Sequence, residues 1–366
     1  MLVRSFVFCF VYSVVGGCIS PLEIGPVPYT PRLVVDGLFT DQQGTHYITL
    51  STSAPTHNPD SINRVSGASI SLYDDVGNRW NYTEVARGRY QISNAKGETG
   101  RTYHIEILLN DGSATYRSTP QRMSGSGEIS DISADLKSYK HGPENALTDY
   151  FFEVTLNATS DANSEHFLRW RTIGTYEIET HPELATKPDP ATGAPVPDPH
   201  ACSGYIYDPE EGLVQVKECT CCKCWVTEYS PSAVIADNSI TENTYNSIMV
   251  GTVSIDKFRL FRKYRLQVEQ MSLSEDVYRF WQRVKSQEAG ESIFQANISK
   301  VKGNIYNVAD PEDEVFGVFA VSGIATEILI FRRADAPEPL ESIEEITTPC
   351  YQLIKGATKV KPSFWK

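Results

Sequence analysis

The chain reads as a mainly β protein. An immunoglobulin-like β-sandwich over residues 31–123 is followed by a second β-rich domain over 128–335, which carries one amphipathic helix at about 272–288. Three observations predict this. Short stretches alternate apolar and polar residues with period two, the mark of half-buried strands. Turn signals of Gly, Asn and Asp recur at the spacing of a sandwich. Only Ser272–Lys285 shows a sustained helical period.

The length of 366 residues leaves room for two or three domains of roughly 100–200 residues each. Apolar residues make up 40% and charged residues 22%, a globular composition. The 19 tyrosines and 15 phenylalanines suit strands. The net charge of −13 excludes a nucleic-acid partner, because little would neutralise phosphates.

At the N-terminus, Arg4 precedes the apolar run Ser5–Val15 and then Val15-Gly16-Gly17-Cys18. The run falls short of the ~20 apolar residues a transmembrane helix needs. A positive start, a short apolar run and small residues predict a signal peptide over 1–17. Val-Gly-Gly-Cys resembles a lipobox, so Cys18 is the expected lipidation site; the alternative is an ordinary secretory signal with a chance cysteine. Acyl chains on Cys18 would anchor the protein stably in a bilayer. Residues 18–30 hold Pro21, Pro26 and Pro28, with Pro31 next, and predict a semi-extended tether. A lipid-anchored location follows, and whether the protein faces the periplasm or the outside stays open.

In the first domain, Leu33-Val34-Val35 and Tyr47–Leu50 read as strands. Ala68, Ile70 and Leu72 oppose Ser69, Ser71 and Tyr73. Asp74–Asn78 is a turn before Trp80 and Tyr82. Gly88–Ile92 and Tyr103–Ile107 follow, and Asn110-Asp111-Gly112 closes a hairpin onto Tyr116. Asp60-Ser61-Ile62 matches a short O-glycosylation pattern, though three-residue patterns recur by chance. Ser124-Gly125-Ser126-Gly127 reads as a flexible joint between the domains.

In the second domain, Tyr150–Leu156 and His166–Thr172 read as a hairpin across Asp161-Ala162-Asn163. The Pro-rich stretch 182–199 reads as a loop insertion. Further strands are expected near Ser247–Val253, Tyr264–Met271, Val315–Val321 and Ile328–Arg332. For the helix, Ser272 and Glu275 fit a capping box. Val277, Phe280, Trp281 and Val284 form one apolar stripe. That stripe makes the helix the expected packing centre of its domain, ahead of a ligand groove built on Tyr278 or Trp281. The tail, 336–366, turns from acidic to basic and ends in Phe364 and Trp365, which are positioned to pack back.

Cys202, Cys219, Cys221, Cys222, Cys224 and Cys350 remain once the signal is cut and Cys18 is acylated. An even number in an oxidising compartment favours disulfides. The dense 219–224 cluster leaves a metal centre open, but it lacks the paired arms of a zinc site. The pairing is not deducible from sequence. No nucleophile elbow, zinc-protease helix, P-loop or dinucleotide fingerprint is present. The seven histidines are scattered. Asp310–Glu314 reads as a solvated turn rather than a calcium loop. A non-catalytic protein without cofactors is expected, with no ligand-binding residues identified.

Taken together, the lipobox, the sandwich, Cys224-Trp225, Tyr264–Gln270 leading into Ser272–Trp281, Gly303–Asn307 and Val315–Phe319 resemble the Bacteroidetes outer-membrane lipoprotein family catalogued as domain of unknown function 4249. The resemblance spans nearly the whole mature chain. The Pro-rich insertion and the extra cysteines depart from it. The family has no established catalytic residues. Its members are commonly encoded beside TonB-dependent transporters, which implies an accessory or capture role at such a barrel. The alternatives are a structural or adhesive surface lipoprotein and, further off, an unrecognised hydrolase.

Overall fold

A computed structural model describes residues 30–54, 62–110, 112, 114–140, 148–237, 243–288, 301–337, 340 and 346–366. The signal segment, Cys18, all of the tether but its last residue, and Ser61 lie outside them. The described chain is mainly β, built from several sheets with two helical segments, Glu275–Glu288 and Cys350–Leu353.

Two sheets form the first sandwich. One runs in the order Phe316–Ser322, Leu33–Thr40, Gly44–Thr52, Arg89–Ala95, Thr83–Ala86. The other runs Ile305–Asn307, Thr115–Ser118, Thr102–Leu108, Ser69–Asp74, Arg79–Asn81, with Gln121–Arg122 beside Thr102–Leu108. Alternation puts Val35, Ile48 and Leu50 against Ile70, Leu72, Ile105 and Ile107, all essentially without solvent contact.

Two of these strands come from the range expected for the second domain. Phe316–Ser322 lies parallel to Leu33–Thr40, in register from Val34 opposite Phe316 to Thr40 opposite Ser322. Ile305–Asn307 pairs with Thr115–Ser118. Ile305, Val315, Phe319 and Val321 belong to the first core. The reason is geometric: Leu33–Thr40 would otherwise be an exposed sheet edge.

The second sandwich packs Glu128–Lys140, Thr148–Thr159 and Thr244–Ser254 over a sheet ordered Lys223–Tyr229, Phe167–Glu179, Lys263–Leu273, Ile324–Arg332. Val234–Ala236 also pairs with Phe167–Glu179. Phe152, Val154 and Leu156 meet Leu168, Trp170, Leu266 and Val268 in its core. The expected hairpin across Asp161–Asn163 is therefore a crossing between sheets: Thr148–Thr159 pairs with Glu128–Lys140 and Thr244–Ser254 instead. Both strands carry apolar residues on one face, and those faces oppose each other across the core. The Pro-rich insertion is not loop throughout, since Thr186–Pro188 pairs antiparallel with Pro195–Pro197.

The expected flexible joint is a half-buried stretch pinned along the seam between the sandwiches. Gln270, fully buried, accepts from the Trp170 indole N–H at 2.8 Å. Its amide nitrogen donates to the Ser126 carbonyl at 2.7 Å and to the Thr159 carbonyl at 3.0 Å. The Ser272 hydroxyl donates to the Ser124 carbonyl at 2.8 Å and accepts from the Gly323 N–H at 2.9 Å. Glycine at 323 lets the chain step from Phe316–Ser322 in one sandwich to Ile324–Arg332 in the other. A Cβ there would stand 2.5 Å from the Ser124 oxygen. The small residues that suggested a hinge instead permit close backbone approach.

Ser272 thus lies within the strand Lys263–Leu273 and does not cap the helix, which begins at Glu275. The Glu275 N–H is met by the Glu165 carboxylate at 2.6 Å. The helix buries Val277, Tyr278 and Phe280 against Leu273, Val318 and Ala320, with Leu38, Phe167 and Ile235 beside them. It covers the seam between the sandwiches; it is not the centre of the second core. At the chain end, the Trp365 indole donates to Glu177 at 2.9 Å, and Arg265 stacks on Phe364.

Candidate functional site

The structure joins the six cysteines as Cys202–Cys221, Cys219–Cys222 and Cys224–Cys350. Sulfurs in disulfides are not thiolate ligands, so this arrangement leaves no sulfur set for zinc. Cys224–Cys350 ties the tail to the Lys223–Tyr229 strand across a sequence separation of 126. Cys202–Cys221 closes the loop that carries the Tyr205–Asp208 and Gly212–Gln215 hairpin, and Cys219–Cys222 tightens its exit.

That same strand ends at Tyr229, which is 67% exposed. Three contiguous clefts of about 560, 220 and 420 Å³ share Tyr229 as a lining residue. The largest lies within the second sandwich and is walled by Glu228, Arg259, Tyr264 and Met249. Arg259 binds both Glu228 oxygens, at 2.9 and 2.8 Å, and also Asp256. Burial works against the Arg259 cation, but these bonds outweigh it and hold its pKa above the ordinary guanidinium value. The Tyr264 hydroxyl donates to Glu228 at 2.7 Å. Burial, reinforced by the Glu228 charge, pushes the Tyr264 pKa well above the phenolic range. The ring passes over Gly174, where a Cβ would stand 1.7 Å from the hydroxyl. These groups are locked to one another and form a rigid polar wall.

The two smaller clefts lie between the sandwiches and share Asp36, Gly37, Leu38, Arg171 and Tyr229. Phe167–Glu179 places Leu168 and Trp170 in the core, so Arg169 and Arg171 face the groove on the other side of the sheet. Arg171 pairs with Glu269 at 2.5 Å. Arg89 stacks on the Tyr47 ring at 4.0 Å. The Arg169 guanidinium lies 3.7 Å from the centre of the Trp281 ring, and its buried Nε has no hydrogen-bond partner. Burial first, then the Arg171 charge, lowers the Arg169 pKa to about 10, which leaves it a cation at neutral pH.

Among the described residues, one histidine meets a serine. Ser160 Oγ lies 3.1 Å from His166 Nδ1. Ser160 is buried, lines none of the three clefts and sits six residues before its partner, so the contact closes a turn. Asp313, from the acidic cluster, accepts from Arg32, Tyr116 and Asn307 at 3.1, 2.9 and 2.9 Å. It clasps the first sandwich. Among the described residues, no group of three or more His, Cys, Asp or Glu is arranged to hold a metal ion.

Sequence reasoning missed Tyr229, Arg169 and Arg171. The signal available was Arg-Trp-Arg at 169–171, in which two cations flank a core residue on a strand. Trp281, weighed there as a groove residue, does line the 220 Å³ cleft.

The fold and site define a two-sandwich β protein with an open, aromatic and cationic groove along its seam. The family model for a domain of unknown function (DUF4249) matches residues 19–328, and the chain belongs to that family. No curated protein matches it. Among solved structures, the B domain of a biofilm-associated protein is 6% identical over 83% of this chain and 87% of that one. Its TM-score of 0.13 is too low to carry any argument.

Proposed function

We propose that this is a Bacteroidetes lipoprotein, anchored in the outer membrane through acylated Cys18, that binds a ligand without transforming it and serves as an accessory partner of a TonB-dependent transporter. The observation that carries the binding half is the meeting of three clefts at the exposed Tyr229. An open cleft with a few fixed polar groups suits capture and release. The anchoring half is supported by Val15-Gly16-Gly17-Cys18 and the Pro-rich stretch behind it.

Mass spectrometry of the membrane-extracted protein tests the anchor. Acyl chains on an N-terminal Cys18 are expected, and Cys18→Ser releases the protein from the membrane. An unmodified terminus overturns that half. Gentle detergent extraction tests the partner: a large barrel co-purifies, and recovery of a clean monomer counts against it.

The open second-sandwich cleft, with the exposed Tyr229 at its edge, weighs against a purely structural or adhesive lipoprotein. Among the described residues, the hydrolase reading finds its one supporting contact in Ser160 and His166. Labelling of Ser160 by a fluorophosphonate, lost in Ser160→Ala, would favour it over binding.

A further inference from the structure

We propose that the seam groove takes an anionic ligand of monosaccharide size, with Arg169 as the anchor for its oxyanion and Tyr229 as the platform for its ring. The inference rests on the binding half of the proposed function and is independent of the anchor and the transporter.

The starting point is a half-buried cation without a protein partner. Among the described residues, Arg169 makes no hydrogen bond or ion pair, and its Nε is buried. A desolvated polar atom without a partner is costly, and Nε is one; the two Nη groups, not buried, are left open to a ligand. The Trp281 face offsets part of this through cation–π attraction but supplies no acceptor. The groups that face Arg169 do not neutralise it. Arg171 is already engaged by Glu269, and Asp36 and Glu288 act on Arg169 only through space, with no contact at ion-pair distance. What remains is a guanidinium seated over an aromatic ring, with donor edges suited to a bidentate oxyanion.

Charge balance points the same way. The two seam clefts are lined by Arg89, Arg169 and Arg171 against Asp36 and Glu269, on a chain whose net charge is −13. His46 also lines the groove, where burial lowers its pKa and keeps it neutral at physiological pH. A net cationic groove on a strongly acidic protein focuses anions there.

Size and shape set the ligand class. The inner cleft, about 220 Å³, is smaller than the ~300 Å³ at which drug-sized pockets begin, so it holds one ring and not a chain. Tyr229 lines the inner cleft, the outer cleft and the second-sandwich cleft. Among the described residues, no ring or cation stacks on it, whereas Tyr47 and Trp281 are both covered by arginines. Its open face suits the apolar face of a sugar ring. A carboxylate and a phosphate ester both satisfy a guanidinium, so the shared chemistry is the oxyanion, and the test separates the two.

The experiment is calorimetric titration of the purified full chain at low ionic strength with glucuronate, glucose 6-phosphate and glucose. At least one acid is expected to bind, at least tenfold tighter than glucose, and to weaken as salt rises. The acid that binds identifies the oxyanion. Arg169→Gln is expected to weaken binding at least tenfold, and Tyr229→Ala severalfold without a change in Tm. Arg169→Met keeps contact with Trp281 while removing the unpaired charge, and is expected to raise Tm by about 2–4 °C. A structural arginine would instead lower it. Equal binding of glucose, no binding by any of the three, unchanged binding in Arg169→Gln, or a fall in Tm in Arg169→Met each overturns the proposal. Loss of the co-purifying barrel would leave it standing.

Discussion

In the first sandwich the last piece to arrive is Phe316–Ser322, laid without a covalent tie on Leu33–Thr40 some 280 residues upstream. In the second, the last piece is the tail, fastened by Cys224–Cys350. The first core contains no cysteine, whereas the second contains both halves of that bridge. One half of the molecule is closed by packing and the other by packing plus a crosslink. The two should therefore respond differently to the same insult.

The largest effect is expected from removing the returning strand. A fragment of residues 31–123 lacks Ile305, Val315, Phe319 and Val321 of its own core. It should show no cooperative unfolding and poor amide dispersion by NMR. The single substitution Phe319→Ala should cost about 3–5 kcal/mol by chemical denaturation. A well-folded 31–123 fragment would show that the first sandwich closes without its distant strand.

Next comes the seam, which belongs to both halves. Gln270→Leu leaves the Trp170 indole N–H and the carbonyls of Ser126 and Thr159 without their partner. Each orphaned buried group costs about 1–3 kcal/mol, although a relaxed seam can admit water to some of them. A loss of about 3 kcal/mol is expected. Unfolding transitions followed by probes in the two sandwiches should then separate. Transitions that stay coincident would mean the seam is held mainly by the helix.

The crosslink comes third. The paired change Cys224→Ser with Cys350→Ser should cost about 2–4 kcal/mol. Hydrogen exchange should place the loss in the second sandwich and leave amides of Leu33–Thr40 unchanged. The Cys219–Cys222 bridge, spanning three residues, closes a far smaller loop and should matter less.

The same contrast explains what the sequence made legible. Alternation is a local property, so Ser69–Asp74, Thr102–Leu108 and Lys263–Leu273 fall where Ile70, Ile105 and Leu266 place them. Val315–Val321 also reads as a strand, but its sheet is set by a parallel partner that leaves no trace in local periodicity. Ser124–Gly127 reads as flexible because composition cannot distinguish a hinge from a backbone that must lie close to Gly323. The cysteines were legible as a disulfide set, but their pairing was not, because connectivity depends on where Lys223–Tyr229 and the tail meet. The groove was least legible of all. Tyr47, Arg169, Tyr229 and Trp281 come from four separate stretches, and only the fold assembles them.

The smallest expected effect is a pH dependence in the half closed by packing alone. His46 is buried, with its ring edge-on to Phe39 at 4.8 Å and Nε2 3.0 Å from the Ala95 carbonyl. Burial lowers its pKa below the ordinary 6.5, and the Ala95 carbonyl opposes that only in part. The unfolded chain then binds a proton that the folded chain refuses. Stability is full above pH 6.5 and falls as the pH drops from there toward the folded pKa. Asp313 acts at a lower range. Burial raises its pKa, but Asn307, Tyr116 and Arg32 together outweigh that and hold it below the ordinary 3.8. Its contribution is present above that value and is lost as pH falls through the folded pKa. Denaturation midpoints read by probes in the first sandwich should therefore decline from about pH 6.5 downward and steepen below about pH 4. His46→Gln should remove the first decline and leave the second. If the first decline persists in that variant, another group titrates there, and the coupling between His46 burial and sandwich stability is wrong.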